Sequence, residues 1–222
     1  MSVPQRKTGA PSPDSVPKAV VNRLSLYLRE LQRMVREDKA TTSSSELGRV
    51  LGFSDAQVRK DLAYFGHFGH PGIGYHCQEL AHAIRRILGT DQQWLVALIG
   101  VGNLGRALLG YKGFSQQGFR IVAAFDIDVP KDGKTIEGVT VYHLDELAEV
   151  IRKEHIRLGM IAVPATAAQS VANQLVEAGV EGIVNFAPIT LALPDGISTI
   201  GVDLAIELEQ ISFAVVNQSP SR

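Results

Sequence analysis

A glycine-rich loop directly after an apolar segment constrains the fold of this chain more than any other feature. Residues 95–99 are continuously apolar, and a G-x-G-x-x-G loop follows them and leads into a helical pattern. In a βαβ unit the first glycine allows a tight turn, the second lets backbone N–H groups approach a pyrophosphate, and the third lets helix and strand pack closely. The loop therefore predicts a dinucleotide site, with candidate cofactor-binding residues Gly100, Val101, Gly102, Asn103, Leu104 and Gly105.

Apolar runs and helical patterns alternate through the rest of this region. The runs cover residues 121–125, 139–142, 158–163, 182–186 and 198–200, and the helical stretches cover 104–112, 144–153 and 167–178. Continuous apolar runs are typical of strands buried on both faces of a parallel sheet, and the alternation indicates a doubly wound α/β fold. We therefore predict a Rossmann dinucleotide-binding domain over residues 90–202.

Further cofactor contacts are expected where the predicted strands end. Asp126 stands 21 residues after Gly105, at a position where a carboxylate accepts hydrogen bonds from the adenosine ribose. A carboxylate there would repel the 2′-phosphate of NADP. Pro164 and Phe186 follow two later strands, and ligands bind at the carboxyl ends of strands in such sheets. We therefore expect NAD as the cofactor, with simple turn residues as the alternative for Pro164 and Phe186.

Residues for chemistry on a bound cofactor are scarce. No Tyr-x-x-x-Lys pair occurs, and the single cysteine, Cys77, leaves no internal disulfide and no cysteine-based metal cluster. We expect Cys77 to be a packing residue, and we expect no catalytic residue and no metal. The domain is predicted to bind a dinucleotide without transforming it. Two alternatives stay open: an NAD-dependent oxidoreductase with a helical appendage, and a CoA-binding domain of the ligase type.

The N-terminal part has the outline of a helix-turn-helix. Residues 1–16 are rich in Pro and Ser and are predicted to be a disordered tail, and a helical apolar pattern begins after Pro17. Two short helices follow, opened by the capping sequences Ser43 to Glu46 and Ser54 to Gln57. A β-hairpin wing is predicted over residues 67–75, and a helix over 78–88 completes a winged-helix domain spanning 17–89.

The second short helix places polar and small residues opposite its apolar side. Glutamine pairs with adenine edges, lysine and arginine pair with guanine or phosphate, and alanine allows close approach to a major groove. An ordinary amphipathic helix with a solvated face is the alternative. The candidate DNA-binding residues on the two short helices and in the wing are Ser45, Ala56, Gln57, Arg59, Lys60, Tyr64 and His70.

The last predicted helix, over residues 203–217, is apolar on nearly every side. A helix that is apolar all round must be buried all round. We expect a second copy of the chain to cover it, since a two-fold dimer also supplies a winged helix with paired half-sites. Packing wholly within its own domain is the alternative.

Charge divides along the chain in the same way as the predicted domains. The net charge is −1, but residues 1–90 carry +5 and residues 91–222 carry −6. A basic module joined to an acidic domain favours a nucleic-acid partner for the first part, although chance clustering of solvated charges would give the same count. No apolar run reaches the roughly 18 residues that a membrane span needs, and the N-terminus lacks a signal peptide, so we expect a cytoplasmic protein without a membrane partner.

Taken together, these segments resemble the Rex family of redox-sensing transcriptional repressors. The resemblance rests on the string Gln57-Val58-Arg59-Lys60-Asp61-Leu62-Ala63-Tyr64-Phe65-Gly66, on Gly72-Ile73-Gly74-Tyr75, on the Gly100 to Gly105 loop with Tyr111-Lys112-Gly113-Phe114, on Phe125-Asp126, and on Asn185-Phe186-Ala187-Pro188. It covers about residues 17–217. The string around Arg59 and the glycine loop in combination are far more specific than either alone.

The resemblance implies a homodimer with exchanged C-terminal helices that binds double-stranded operator DNA with NAD+ or no cofactor and releases it on binding NADH. It also implies a coupling set: Tyr111 near the nicotinamide, Arg29 on the first helix, and Asp203 of the partner subunit, from the last helix. A packed tyrosine, a surface arginine and a helix cap are the alternatives. Family members often carry Arg or Lys where this chain has Pro71, which puts a minor-groove contact from that position in doubt; His67 or His70 would substitute weakly.

Overall fold

The computed structural model describes residues 16–129 and 133–217. Contacts divide the chain into two compact units, with the boundary between Gln92 and Gln93. All but the last residue of the predicted tail, 1–16, lies outside the described residues. Within the described ranges, no helix is long and apolar enough to cross a membrane.

The N-terminal unit is built from four helices and one small two-stranded sheet. Its elements are α1 (Lys18–Arg36), β1 (Thr41–Thr42), α2 (Ser44–Leu51), α3 (Asp55–Ala63), β2 (Tyr75–His76) and α4 (Cys77–Leu88). Apolar faces of all four helices meet in one core that includes Leu24, Leu31, Leu47, Leu62 and Ile84. Cys77 is part of this core and is fully buried, as expected of a packing residue.

Serine caps start both short helices, and a glycine turn separates them. The Ser43 hydroxyl accepts a hydrogen bond from the Glu46 N–H, and the Ser54 hydroxyl accepts one from the Gln57 N–H, each over 3.1 Å. Gly52 ends α2 in the left-handed region at φ 75°. Only half of each predicted capping box forms, because the Glu46 carboxylate bonds to Thr42 and the Gln57 amide bonds to Asp61.

The wing differs from the predicted hairpin. Residues 67–75 form a tight turn closed by one bridge between His70 and Gly74, and β2 pairs antiparallel with β1 instead of with a strand of its own hairpin. Gly74, at φ 87°, passes so close to the Thr42 carbonyl that no side chain would fit. The polar residues after α1, which showed no strand pattern, therefore form the base of the wing.

The C-terminal unit is a seven-stranded sheet covered by helices. Its elements are β3 (Trp94–Ile99), α5 (Asn103–Leu109), α6 (Gly113–Gln116), β4 (Phe119–Asp126), β5 (Lys134–Ile136), β6 (Val139–His143), a 3₁₀ turn (Leu144–Glu146), α7 (Leu147–Lys153), β7 (Leu158–Ile161), α8 (Ala165–Ala178), β8 (Gly182–Asn185), β9 (Ser198–Gly201) and α9 (Leu204–Asn217). The strand order is β5-β6-β4-β3-β7-β8-β9. All neighbouring strands are parallel except β5 and β6.

This arrangement is the doubly wound Rossmann-like fold predicted from the alternating pattern. The chain leaves the central strand β3 toward β4 on one side and later returns to β7 on the other, so the order reverses beside β3. Ligands of open α/β sheets bind outside the carboxyl ends of strands at such a switch point. The glycine loop follows β3 and therefore lies at this position.

Helix α9 has no buried side chain. Its apolar residues are exposed on several sides, from 51% at Ile206 to 72% at Phe213 and Val216. Packing of this helix within its own unit, the alternative to a dimer, does not occur in the single chain.

Candidate functional site

The glycine loop is held tightly at both ends. Gly100 adopts φ 94°, and a Cβ there would lie 2.5 Å from the Ala162 carbonyl oxygen, which follows the neighbouring strand β7. At Gly105 a Cβ would lie 3.0 Å from the Gly100 carbonyl carbon and closer still to its oxygen. Both contacts are below normal van der Waals distances. The first and third glycines are therefore required by the packing of the chain on itself.

Gly102 has a different environment. It is exposed, and a Cβ built on it would meet no atom within 4 Å. It stands directly before α5, and no side chain caps that helix. Because the fold leaves this space open while closing around its two neighbours, the middle glycine is available for an approaching ligand. This is the cradle that a pyrophosphate requires.

Asp126 ties the end of β4 to the glycine loop. Its Oδ2 accepts a hydrogen bond of 2.6 Å from the Val101 N–H, and its Oδ1 accepts one of 3.1 Å from the Asp128 N–H. An ionised carboxylate has about four acceptor positions. Two are used here, so capacity for ribose hydroxyl donors remains on a half-buried group.

Pro164 and Phe186 stand after β7 and β8, at the same carboxyl edge of the sheet. The Phe186 N–H donates to the Ile161 carbonyl over 2.9 Å, which fixes the chain as it leaves β8. Asn185, 2% exposed, holds the following loop: its amide donates to the Ala187 and Ile189 carbonyls. The motif indicated Phe186 as a site residue, whereas Asn185 emerges as the residue that positions it.

A cavity of about 360 Å³ opens beside this loop. Its lining combines Asn185 and the loop after it with the end of β9 and the first turn of α9, including Asp203. The Asp203 carboxylate accepts a hydrogen bond of 2.9 Å from the Ala205 N–H and so caps α9. Asp203 therefore has the capping role, at the edge of a cavity large enough for part of a ligand.

Tyr111 lies away from the other candidate cofactor residues of this chain. It follows α5, whose seven residues span about 10 Å from the glycine loop. Tyr111 is 58% exposed, and its ring packs edge-on against Phe114 with 4.9 Å between ring centroids. It borders a second cavity, of about 250 Å³, with Phe119, Arg120 and Glu137.

The predicted DNA-reading residues of the N-terminal unit are all at least partly accessible. Ser45, Ala56, Arg59, Lys60 and His70 are exposed, and Gln57 and Tyr64 are half-buried. Arg59 forms an ion pair of 2.8 Å with Asp55 and donates to the Ser44 hydroxyl, so its guanidinium is already oriented. Arg29 is exposed on α1.

Asp61, which was not among the predicted site residues, is a buried residue of α3 that holds the Gln57 side chain in place. It is 0% exposed and accepts hydrogen bonds from Arg23 (2.6 and 2.8 Å), the Tyr27 hydroxyl (2.7 Å) and the Gln57 amide (2.7 Å). Arg23 and Tyr27 belong to α1, and Asp61 and Gln57 belong to α3. The carboxylate therefore fixes α3 on α1 and sets which way the Gln57 amide faces.

The same hydrogen bonds also determine the ionisation states of Asp61 and Tyr27. Burial raises the pKa of the Asp61 carboxyl, but the hydrogen bonds from Arg23, Tyr27 and Gln57 outweigh it, so the pKa stays below its usual value. Burial and the bond to Asp61 raise the pKa of the Tyr27 hydroxyl. Asp61 is thus an anion at neutral pH. Because the Asp61 carboxylate can only accept, the Gln57 nitrogen must face it, and the Gln57 oxygen points away from Asp61.

Other chemistry is sparse in the described part of the chain. Among residues 16–129 and 133–217 no group of three or more His, Cys, Asp or Glu side chains is placed to hold a metal ion. Burial raises the pKa of the Cys77 thiol, which makes it a poor nucleophile.

Comparison with known proteins agrees with both halves of this description. Residues 15–63 match a family model described as a putative DNA-binding protein N-terminus, and residues 91–189 match one described as a CoA binding domain. The redox-sensing transcriptional repressor Rex of Pelotomaculum thermopropionicum is 49% identical over 91% of this chain and 95% of its own length. The Rex of Carboxydothermus hydrogenoformans is 46% identical over 90% and 96%.

Solved structures give the same result. RSP, a Rex-family repressor, in complex with β-NAD+ and operator DNA matches with a TM-score of 0.86 and 35% identity over 91% of this chain and 94% of that chain. RSP in complex with β-NADH matches with a TM-score of 0.82 and 34% identity over 92% and 96%. On these identities and this coverage, the chain belongs to the Rex family of redox-sensing transcriptional repressors.

Proposed function

We propose that this chain is a transcriptional repressor that senses the NADH/NAD+ ratio. It binds operator DNA as a homodimer when NAD+ or no cofactor is bound and releases the DNA when NADH binds. Its relatives carry the name of redox-sensing repressors, and RSP has been crystallised with β-NAD+ and operator DNA and with β-NADH. The chain is a regulator and not an enzyme, and a DNA partner favours a cytoplasmic location.

The residues at the carboxyl edge of the sheet fit NAD(H). Gly102 leaves room for the pyrophosphate, the uncapped start of α5 supplies N–H donors, and Asp126 has acceptor capacity for the ribose. When bound, the cofactor supplies the signal, since its nicotinamide is oxidised in NAD+ and reduced in NADH. Val101, Asn103, Leu104, Pro164 and Phe186 complete the proposed cofactor set. We keep Tyr111 in the set from the family resemblance, although it lies apart in the single chain.

The proposed DNA surface consists of Ser45, Ala56, Gln57, Arg59, Lys60, Tyr64 and His70. The Gln57 oxygen, which Asp61 does not use, and the second proton of the Gln57 nitrogen suit the adenine edge, which offers one donor and one acceptor. Lys60 and Arg59 suit guanine or phosphate. The 17–89 domain, which contains this surface, is proposed to act as a winged helix joined to the 90–202 cofactor domain.

The homodimer is proposed from helix α9. Leu204, Ile206, Leu208, Ile211 and Phe213 expose half or more of their surfaces in the single chain. A patch of this kind marks an interaction surface, and a two-fold axis would present the patch to itself. The same axis would place two α3 helices at paired half-sites of operator DNA. Residues 203–217 are therefore proposed as the dimerisation helix.

NADH can release DNA only if its affinity differs between the two forms of the dimer. NADH must bind the released form of the dimer better than the DNA-competent form, and DNA must then weaken NADH binding by the same factor. Arg29, Tyr111 and Asp203 are proposed to carry this coupling, as the family resemblance implies.

The observation that carries the cofactor assignment is the bond between Asp126 and the glycine loop, and Asp126→Ala tests it. Asp128→Ala is the matched control, because it is two residues away, exposed, and keeps the N–H that bonds to Asp126. We expect Asp126→Ala to retain operator binding but lose release by NADH, while Asp128→Ala responds normally. Release of both variants at the wild-type NADH concentration would remove Asp126 from the site. A normal response to CoA in place of NADH would favour the CoA-binding alternative.

A further inference from the structure

The tip of the wing is a small, well-fixed turn. The His70 N–H donates to the Gly74 carbonyl (2.8 Å), and the His70 carbonyl accepts from the Ile73 and Gly74 N–H groups (3.1 and 3.0 Å). Gly72 and Gly74 adopt φ 79° and 87°, a region that favours glycine. The turn is therefore held in one shape by its own backbone.

The base of the turn is anchored in the N-terminal unit. Gly74 passes against the Thr42 carbonyl, Tyr75 is buried, and β2 pairs with β1. The turn thus projects from a fixed support directly after the recognition helix α3. A rigid projection loses little conformational entropy when it binds.

The tip presents apolar side chains. Pro71 is exposed, and Ile73 is 56% exposed. No lysine or arginine occurs within the turn itself or anywhere between Lys60 and Arg85 in sequence, and His70 packs edge-on against His76 with 5.7 Å between ring centroids. The turn is therefore poorly suited to binding phosphates. Its exposed side chains at Pro71 and Ile73 give it the surface of an apolar wedge.

We propose that the wing tip, Pro71 to Ile73, is an apolar wedge that inserts into the minor groove of the operator. The proposal rests on the DNA-binding function proposed above. Proteins that bind minor grooves frequently insert Ile, Leu, Phe, Met or Pro at base steps and partly unstack them. DNA is the chosen occupant because the turn follows α3 directly in sequence and the exposed Arg59 of α3 acts electrostatically on Tyr75 at the end of the turn, so a positive charge that complements the DNA backbone lies beside it.

Two consequences separate a wedge from a charged wing. Its contribution to affinity is independent of salt, because no counterion is released by an apolar contact. It also selects sequence through flexibility, since pyrimidine–purine steps such as TA and CA are the easiest to unstack. The base step beneath each wing is therefore expected to be a pyrimidine–purine step.

The test uses the full-length chain with NAD+ and a palindromic duplex that the wild-type protein selects from a random library. Operator affinity is measured over a series of salt concentrations for Ile73→Ala, Ile73→Val and Pro71→Lys, with 2-aminopurine reporting unstacking beneath the wing. We expect Ile73→Ala to weaken binding by about tenfold with an unchanged salt slope, and to abolish the unstacking signal. Ile73→Val is expected to retain both the affinity and the unstacking signal. Pro71→Lys steepens the slope by about 0.9 for each additional phosphate that it neutralises.

Ile73→Ala with wild-type affinity and unstacking overturns the wedge, as does equal binding to duplexes with and without a pyrimidine–purine step beneath the wing. Thermal unfolding of each variant checks that the exposed substitution leaves the fold intact. If the wild-type chain selects no duplex at all, the proposed function fails as well. If the wild-type chain selects a duplex but Ile73→Ala changes neither affinity nor unstacking, only the wedge proposal fails.

Discussion

Asp61 of α3 accepts four hydrogen bonds on a fully buried carboxylate, and three of them come from Arg23 and Tyr27 of α1. We predict that Asp61→Asn lowers the free energy of unfolding of this unit by about 2–3 kcal/mol, because it leaves the Arg23 charge uncompensated. The range is below that of a fully buried pair, since 21% of the Arg23 side chain reaches solvent. Denaturant unfolding measures the decrease. Glu37→Gln, which breaks an exposed pair with Arg33, is the control and should cost under about 0.5 kcal/mol.

The same carboxylate makes stability depend on pH. Its pKa is lowered in the folded chain, so the stabilisation is complete above the ordinary Asp pKa of about 4 and disappears as pH falls below it toward the lowered value. We predict that the unfolding free energy of the wild-type unit falls more steeply below about pH 4 than that of Asp61→Asn. Parallel curves for the two proteins would show that Asp61 does not titrate with folding.

Two glycines of one loop should respond oppositely to the same substitution. Gly105→Ala would force a Cβ against the Gly100 carbonyl, whereas Gly102→Ala meets no atom of the chain within 4 Å. We predict that Gly105→Ala destabilises the C-terminal unit by about 1–3 kcal/mol. Gly102→Ala should keep wild-type stability and lose NADH binding, because its methyl group occupies the space left for the pyrophosphate. Calorimetry measures both, and NADH affinity unchanged in Gly102→Ala would contradict the cradle.

At the scale of elements, helix α3 supplies the proposed groove contacts. Lys60 is exposed on it, and we predict that Lys60→Ala weakens operator binding and lowers the salt slope by about 0.9 for each phosphate that the lysine neutralises in the wild-type complex. Lys153→Ala removes an exposed lysine from α7 of the other unit and serves as the control. Identical salt slopes for the two variants would exclude Lys60 from the phosphate-binding residues.

Helix α9 carries the proposed dimer. We predict that Phe213→Glu yields a folded monomer in sedimentation and weakens operator binding by about a hundredfold or more, since linked half-sites bind with far greater avidity than single ones. Glu209→Gln, an exposed change on the same helix, should leave the dimer intact. A Phe213→Glu dimer with wild-type operator affinity would show that α9 is not the interface.

The sequence predicted those helices and strands whose causes lie in neighbouring residues, and it missed those that depend on distant ones. Caps and glycine stops predicted both short helices, and continuous apolar runs predicted the parallel strands. The edge strand β5 and the one-turn helix α6 are too short to show a period. The pairing of β1 with β2 was also missed, since it joins residues about 35 positions apart through backbone bonds alone.

The residues of the candidate sites likewise divide into those that sequence spacing predicts and those that it does not. The glycine loop and Asp126 form a pattern of fixed spacing, and the structure joins them by one hydrogen bond. Asp61 and Asn185 act through burial, which spacing does not reveal, although both lie within the strings that carry the family resemblance. The role of α9 does not show within the described single chain, because it is proposed to depend on a second copy, and the role of Tyr111 rests on the family resemblance alone.

At the scale of the whole molecule, the net charge of −1 conceals a basic part and an acidic part. Contacts divide the chain into two units at nearly the same position, after Gln92. A basic unit attracts the DNA backbone at a distance, while an acidic unit does not compete for it. This separation suits a protein in which one unit binds DNA and the other binds the signal.

The most direct test measures both ligands on the same dimer at fixed salt. Operator affinity is measured by fluorescence anisotropy with saturating NAD+ or NADH, and NADH affinity is measured with and without operator by quenching of Trp94, the single tryptophan. We predict that NADH weakens operator binding by about 5- to 150-fold and that the operator weakens NADH binding by the same factor. An operator affinity that is unchanged by saturating NADH would contradict the proposal that this chain is a redox-sensing repressor.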